Sequence, residues 1–473
     1  MSTPGQANRP ERGAGGGTSV LPARVGTDVP PPQRAAEPAR GARRGVRSTP
    51  PRRLWTMGSL LALLALLFGA LTVTQVVQSA DAASSVVNHS QPLSDDAAQI
   101  FHSLADADTT AATGFLQAGN ETTAVQKQYN DDIRVASTLL AQAAASTSPT
   151  DPGQVQIQQL NAQLPVYTGL VENARADDRQ GLPLGGAYLR FASGQLQNTM
   201  LVEAQALYTA ETARLHSDYG DAQALPWAAI GLGLVLLAAL VWSQVRLFRQ
   251  TNRVFNIGLV AATGATVVAL LWLVTAQSLS ASDLKASDTR GAAPLQVLNE
   301  ARIKALQCRG AENLNLVARG STDVYETDWS ADSKELAGSG GFLARATAMT
   351  AGDPAAQQTV KDAAAAFTTW QQRHDTAKTA NDNGDYTTAV NTTIGTTTGS
   401  AATAAQGNTT SAAFTQLDDR LNVAIGRERA NFRSLAASGR NDTALLAEGA
   451  GLLAVVAAAG ALLGINRRAA EYR

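Results

Sequence analysis

The 473-residue chain has few of the residues that build enzyme and metal sites. It contains one cysteine, Cys308, and four histidines. A single cysteine excludes an internal disulfide and a thiolate metal site, so we predict that Cys308 is a buried free thiol. The histidines are scattered, without metal-ligand spacing. Phosphate-binding glycine loops, nucleophile elbows and kinase signatures are absent as well. We therefore predict a protein that is not an enzyme, with no catalytic residue, no metal and no cofactor.

Charge is also scarce, and it is unevenly distributed. Charged residues make up 16% of the chain, and the formal net charge is −1. Residues 1–53 carry ten arginines and three acids, whereas Asp81–Ala224 carries sixteen acids and six basic residues. A membrane protein with a basic inner face has such a division. Paired acids such as Asp95-Asp96 and Asp131-Asp132 are explained by helix capping and solvation.

The first 53 residues are rich in proline, glycine and arginine and contain almost no large apolar side chain. Such a segment cannot bury enough surface to offset chain entropy, so residues 1–53 are predicted to be a disordered, basic, cytoplasmic tail. Two interpretations of this tail stay open. It contacts anionic lipid or a cytosolic partner, or it only anchors the orientation of the first span.

Long apolar runs are the strongest feature of the sequence. A spanning helix needs about 20 mostly apolar residues, and four runs meet that length with their flanks. The first run is too long for a signal peptide. The predicted transmembrane helices are residues 54–79, 225–245, 257–279 and 443–466. Arginines bias short loops to the cytoplasm, so the loop 246–256, the tail 467–473 and both termini are predicted to be cytoplasmic. The chain is thus predicted to be a multi-pass protein of the cell membrane.

The two segments outside the membrane, residues 80–224 and 280–442, read as helices with turn punctuation. Strand alternation is absent, and apolar residues recur at helical spacing, as in Val125, Tyr129, Ile133, Ala136 and Leu140. We expect an interruption of the first helix near Pro92 and an N-cap at Asp151. Each segment is predicted to be an extracytoplasmic four-helix-bundle-like domain, and the fold class is all-α.

The second half repeats the residues that mark turns and helix starts in the first half, at an offset of about 201–203 residues. The matched positions are Gly119 and Gly320, Asp151-Pro152 and Asp353-Pro354, Tyr167 and Trp370, and Gly181 and Gly384. Punctuation in register indicates an internal duplication. A surplus of about 15 residues around 391–410 is interpreted as a loop or a loosely packed helix.

Two surfaces are candidate contacts. Outside, an apolar turn tip between arginines suits a protein contact, although a purely structural turn has the same composition. Its candidate residues are Arg179, Gln180, Gly181, Leu182, Pro183, Tyr188 and Arg190. Inside, the candidate contact residues are Arg246, Arg249 and Arg253.

Two stretches carry a resemblance to a known family. The pattern over Arg175–Arg190 and the hairpin over Arg246–Leu259 look like those of the GlnX family, and the resemblance extends over roughly residues 54–473. These are actinobacterial four-span membrane proteins associated with the glutamine-binding lipoprotein GlnH and the soluble kinase PknG. The resemblance implies a substrate-binding lipoprotein as the outer partner and a Ser/Thr kinase as the inner partner.

Two functions remain from different classes. The first is a membrane signal relay that couples amino-acid sensing outside to a cytosolic kinase. The second is a passive membrane or envelope scaffold, and a channel or transporter component is the third candidate. Nothing in the sequence indicates a nucleic-acid partner.

Overall fold

Helices make up all the regular structure of the described part of the chain. The computed structural model describes residues 50–117, 120–251, 256–319, 323–395, 407–441 and 444–470. No strand occurs in these ranges, so the all-α prediction is confirmed for them. Four predicted features lie outside the described residues, namely the tail before residue 50, Gly119, Arg253 and Gly320.

The first half contains six helices in the described ranges. Their bounds are α1 Pro50–Ser85, α2 Gln91–Leu116, α3 Thr123–Ser146, α4 Gln154–Arg179, α5 Leu184–Gln195 and α6 Leu201–Gln223. A π-helical turn, Val86–Ser90, joins α1 to α2, and another, Leu196–Met200, joins α5 to α6. The predicted first and fourth outer helices therefore each contain a π turn. On the fourth, Leu189, Leu196, Met200 and Leu207 are buried, as the spacing predicted.

The rest of the described chain contains nine helices. Their bounds are α7 Trp227–Thr251, α8 Ile257–Ser287, α9 Ala293–Ala318, α10 Val324–Ala337, α11 Phe342–Met349, α12 Pro354–Asp382, α13 Tyr386–Ile394, α14 Thr410–Asn441 and α15 Ala444–Ala470. A π turn, Asp288–Ala292, joins α8 to α9. This half departs from a four-helix pattern in two places. Gly338–Gly341 separates α10 from α11, and α13 is an additional short helix that extends into the predicted surplus loop.

The expected interruption near Pro92 does not occur. Proline lacks the N–H and clashes with the carbonyl four residues earlier, which is that of Asn88 for Pro92 and that of Arg290 for Pro294. Each of these carbonyls lies inside a π turn, where the wider backbone accommodates the ring. The helix therefore continues through both prolines. As a result, Trp55–Leu116 and Ile257–Ala318 are uninterrupted helices of 62 residues each, about 90 Å long.

The predicted aspartate cap at Asp151 is wrong, whereas the matched Asp353 does cap its helix. Asp353 accepts from the backbone N–H of Ala355 at 2.9 Å and of Ala356 at 3.1 Å, at the start of α12. Asp151 does not cap α4, which begins at Gln154. Its carboxylate instead accepts from the Ser148 N–H at 2.9 Å and from Arg214 at 3.0 Å. Both bonds go to Oδ2, and they join Asp151 to the preceding turn and to α6 rather than to the start of α4.

Within the described residues, three helices are long and apolar enough to cross a membrane, and each contains one of the first three predicted spans. They lie within Trp55–Leu116, Leu184–Arg249 and Ile257–Ala318, and the fourth predicted span contains the shorter apolar helix Gly451–Asn466. Large apolar side chains such as Leu60, Leu63 and Leu271 point outward from these helices. Such apolar exteriors require lipid. The chain is a membrane protein.

The apolar helices pack through small residues. α15 lies between α1 and α8, and α7 contacts both of these helices. A Cβ atom placed on Gly258 of α8 would lie 2.5 Å from the Gly460 carbonyl oxygen of α15. The Gly460–Gly464 spacing therefore serves a close helix crossing, as small residues do in membranes. Asn256 secures the same crossing, because its Nδ2 donates to the Gly464 carbonyl at 2.7 Å while its Oδ1 caps α8.

The two outer segments pack directly against each other along α2 and α9. Their contact is a shared core, in which Ile303, Leu306 and Leu316 of α9 join the buried side chains of the first segment. Hydrogen bonds from polar side chains also join the two segments. Asn313 of α9 donates to the Thr109 carbonyl of α2 at 3.1 Å, and Arg429 of α14 donates to Asp95 at 2.8 Å. Because α2 and α9 continue into α1 and α8, each side of this contact is connected to the membrane.

Candidate functional site at the contact of the two segments

A buried carboxylate on α2, that of Asp108, is at the centre of the first segment. Its side chain is 2% exposed. Its oxygens accept hydrogen bonds from Ser193 Oγ at 2.7 Å, Tyr167 O–H at 3.2 Å and Gln197 Nε2 at 3.4 Å. All three donors are neutral, and no basic side chain of the described residues lies at ion-pair distance. Burial raises the pKa of Asp108 to about 6, against the opposing effect of the three hydrogen bonds.

Asp108 also lines a cavity of about 230 Å³ between the two segments. The cavity lies between α2 and the π turn Leu196–Met200 on one side, and α9 and α10 on the other. Its polar lining includes Asp108, Gln197, Asn198, Gln307, Asp328 and Asp332. Asp328 is exposed and Asp108 is buried, so acids lie both at the mouth and at the base of the cavity. None of its lining residues is basic.

The second segment has a comparable buried carboxylate, and this one is neutralised. Glu312 of α9 accepts from Trp370 Nε1 at 3.1 Å and from Thr410 at 3.0 Å, and it pairs with Arg309. His374 Nδ1 lies 3.1 Å from its Oε1. Burial acts to raise the pKa of Glu312, but the charges of Arg309 and His374 hold it below the usual value.

His374 is a cation within this cluster. Its ring stacks on that of Trp329, with centroids 3.7 Å apart and planes 4° from parallel. Its Nε2 lies 3.5 Å from Glu326 Oε2. Burial lowers the pKa of His374, but the bonds to Glu312 and Glu326 outweigh burial and raise it to about 9. Glu312 thus lies among two cations and neutral donors, and removing it would leave those cations buried without their partner.

A third polar group crosses between the segments, and we call it the seam. It consists of His102 and Asp106 on α2, Arg302 on α9 and Asp418 on α14. Arg302 binds Asp418 through two bonds, of 2.6 and 3.1 Å. The same guanidinium reaches His102 Nδ1 at 3.1 Å and Asp106 at 3.4 Å. One buried arginine therefore holds α2, α9 and α14 together.

The seam and the neighbouring α3 contain titratable groups with shifted pKa values. Burial raises the pKa of Asp106 despite the nearby Arg302. Burial also raises the pKa of Asp132 to about 7. The pKa of His102 shifts in the opposite direction, because burial and the charge of Arg302 both lower it. The sequence interpretation of Asp131-Asp132 as solvated is wrong for Asp132, which is buried.

The predicted outer contact turn connects α4 to α5. Arg179 and Gln180 are exposed. Gly181 has φ +68°, a left-handed conformation that favours glycine, and Leu182 is 45% exposed. Of the remaining predicted residues, Pro183 is exposed, Tyr188 packs at the edge of the first core, and Arg190 reaches the Val317 carbonyl of α9 at 3.5 Å. The role of this turn as a contact stays a prediction.

The predicted inner contact lies at the far end of the molecule. Arg246 and Arg249 are exposed on the last turns of α7, so the helix continues into the predicted loop. The Arg246 guanidinium lies 5.1 Å from the centre of the Trp242 ring. Arg253 lies outside the described residues. The outer turn and these arginines are separated along the chain by α5, α6 and α7.

Sequence reasoning missed the buried charges. Asp108 and Glu312 are single acids within apolar, alanine-rich helix faces, and that interruption was the available signal. Their partners Tyr167, Trp370 and Thr410 lie 58 to 98 residues away in the sequence. No local spacing therefore reveals these hydrogen bonds. Among the described residues, no group of three or more His, Cys, Asp or Glu side chains could hold a metal ion. Cys308 is buried with a free thiol, as predicted.

Comparison with known proteins matches the first outer segment. A family described as the actinobacterial sensor domain matches residues 82–220, which cover α2 to α6 and the end of α1. No curated protein and no solved structure matches the chain. The first outer segment is therefore similar to an actinobacterial sensor domain, which suggests a sensing or signalling role for it.

Proposed function

We propose that this protein is a membrane signal relay that couples a condition sensed outside the cell to its inner face. One observation carries the proposal. The helices that form the contact of the outer segments, α2 and α9, are the same continuous helices as α1 and α8, which cross the membrane. A change at the outer contact is therefore delivered to two spans without a flexible joint.

The buried polar groups supply a means of switching. Interfaces and packed cores change between discrete arrangements, and helix shifts of about 1–2 Å carry signals in other proteins. The seam holds α2 and α9 through Arg302, and the cavity lies beside it. A ligand or a partner that changes the spacing of α2 and α9 would move α1 relative to α8.

The finer form of the proposal follows the family resemblance. The sensed condition is amino-acid availability, a substrate-binding lipoprotein presents it outside, and a Ser/Thr kinase receives it inside. The inner contact consists of Arg246, Arg249 and Arg253, and the outer contact of the α4–α5 turn. The relay acts by recruiting a cytosolic protein to this inner contact.

Four spans, cytoplasmic termini and an internal duplication belong to the same proposal. The matched π turns before Pro92 and Pro294 support the duplication, as do the buried acid–aromatic pairs of Asp108 with Tyr167 and Glu312 with Trp370. Cysteines introduced at Thr150 and Gly407 should react with an impermeant reagent on whole cells, and one at Thr251 should not. Reversed labelling would contradict the orientation.

Co-purification tests the relay itself. Crosslinked native membranes should yield a cytosolic kinase and a binding lipoprotein with the wild-type protein. Replacing Arg246, Arg249 and Arg253 by Gln should abolish recovery of the kinase and leave that of the lipoprotein intact. Arg134→Gln, on an exposed outer helix, is the matched control. Kinase recovery equal to wild type in the triple variant would mean that the three arginines are only topology signals.

A further inference from the structure

The cavity at the contact of the outer segments has the lining of a site for a positively charged ligand. Asp108 at its base is surrounded by neutral donors, and no described basic side chain pairs with it or with Asp328 at the mouth. Asp332 differs, because Lys304 binds it at 2.9 Å. Two acidic side chains of the lining therefore have no cationic partner in the described part of the chain.

The lining amides do not balance the acids. Gln197 uses its Nε2 on Asp108, and Asn198 uses its Nδ2 on the Gly194 carbonyl at 2.9 Å. The charge of Asp108 and Asp328 is therefore not neutralised by any described side chain of the lining. Such a lining suits a ligand that carries positive charge and donates hydrogen bonds.

The size of the cavity limits that ligand. About 230 Å³ is below the roughly 300–1,000 Å³ of sites for drug-sized molecules. Apolar residues on both sides, such as Ala105, Leu201 and Leu306, would contact a short hydrocarbon portion.

We propose that this cavity binds a small organic cation, a short alkyl ammonium or guanidinium compound whose N–H groups bond to Asp108. The pKa of Asp108 near 6 leaves its carboxyl mostly ionised at neutral pH. The proposal names the class of ligand that the outer segments sense, and its link to signalling rests on the proposed function. The binding itself does not depend on that function.

Calorimetric titration of the full-length protein in nanodiscs at pH 7.5 tests the site. The probes are putrescine, with two ammonium groups, and agmatine, with a guanidinium and an ammonium group. The neutral isostere 1,4-butanediol is the ligand control. We expect saturable binding of at least one cation, at least tenfold tighter than that of the diol, and the stronger of the two identifies the preferred head group.

Variants assign the binding to the cavity. Asp108→Asn should weaken cation binding at least tenfold, because hydrogen bonds to a charged group are the stronger ones. Glu211→Gln, at a buried carboxylate of α6 outside the cavity lining, should bind like wild type. Gly310→Leu keeps Asp108 but projects into the cavity and should abolish binding. Gly310→Ala should retain binding, because a Cβ there meets Gln197 at an ordinary 3.4 Å.

Circular dichroism and the melting temperature establish that each variant is folded. The proposal is overturned if neither cation binds wild type at 10 mM, if the diol binds equally well, or if Asp108→Asn binds the cations as wild type does. Cation binding without kinase recruitment would leave the site in place and reject the relay. Kinase recruitment without cation binding would reject the site and leave the relay in place.

Discussion

The two outer segments place a buried carboxylate at comparable positions and treat its charge in opposite ways. In the second segment, Glu312 lies among Arg309, His374, Trp370 and Thr410, so its charge is balanced. In the first, Asp108 has only neutral donors and faces a cavity. The first carboxylate is the one within the residues that match the sensor domain. The difference indicates that one segment keeps its charge for stability and the other for binding.

Among the changes that test this contrast, Glu312→Gln should have the largest effect on stability. The change leaves Arg309 and His374 buried without their carboxylate, and breaking such a pair costs about 3–5 kcal/mol. The melting temperature should fall by roughly 10 °C. Glu335→Gln is the matched control, since Glu335 is an exposed partner of Lys304 and exposed pairs contribute about 1 kcal/mol or less. An equal effect of the two changes would contradict the stabilising role of the cluster.

Arg302→Met removes the cation that the two segments share. Asp418 and Asp106 then lose their buried partner, but Asp106, whose pKa is already raised, can take up a proton. We expect a loss of about 2–3 kcal/mol in the free energy of unfolding, together with faster hydrogen exchange along α2 and α9. Unchanged exchange at these helices would show that the apolar core alone holds the segments together.

Between pH 6 and pH 9 the folded protein should become less stable. Asp132, with a pKa of about 7, and His374, with a pKa of about 9, both hold protons in the folded state that the unfolded chain has released. Stability therefore falls as pH rises through this window, by an expected amount of the order of 2 kcal/mol. His102 opposes this trend between pH 6 and about pH 7, because its folded-state pKa is lowered and only the unfolded chain binds a proton there.

Melting temperatures across this pH range provide the measurement. His374→Gln should make the curve less steep between pH 7 and pH 9, because the proton that His374 holds with a pKa of about 9 is then gone. Rising stability from pH 6 to pH 9 would mean that the buried carboxyls are ionised and paired in the folded state.

Gly310→Ala should stabilise the protein modestly. The residue lies in the middle of α9, where alanine is favoured over glycine by about 1 kcal/mol, and the added Cβ has room beside Gln197. A rise of a few degrees in melting temperature is expected. Destabilisation would show that the cavity wall is more tightly packed than the distances indicate.

Asp108→Asn should change stability least, within about 1 kcal/mol, although its site is as buried as that of Glu312. Burial opposes the charge of Asp108, so its loss removes a desolvation penalty, and the amide retains bonds to Ser193 and Tyr167. Thermal unfolding of the two matched variants side by side provides the comparison. A loss as large as that of Glu312→Gln would make Asp108 a structural residue.

The sequence is sufficient for the helices and insufficient for their polar contacts. Apolar runs and helical spacing depend on neighbours a few residues apart, so the long spans, the buried face of α6 and the Asp353 cap could be predicted. The predicted cap at Asp151 and the predicted interruption near Pro92 were wrong because neighbouring structure decides both. Arg214 binds the Asp151 carboxylate, and a π turn accommodates Pro92. The seam joins His102 to Arg302, 200 residues apart, and only the folded chain brings them together.

The most direct test of the relay measures whether the seam controls the inner ends of its two helices. Spin labels at Trp55→Cys on α1 and Ile257→Cys on α8 report their separation, since both positions are exposed and Cys308 is buried. Double electron–electron resonance should show the mean distance shifted by about 1–2 Å or more when Arg302→Met is added. Lys127→Met, which breaks an exposed pair on α3, should leave the distance as in wild type. Identical distance distributions with and without Arg302 would contradict the relay through α1 and α8.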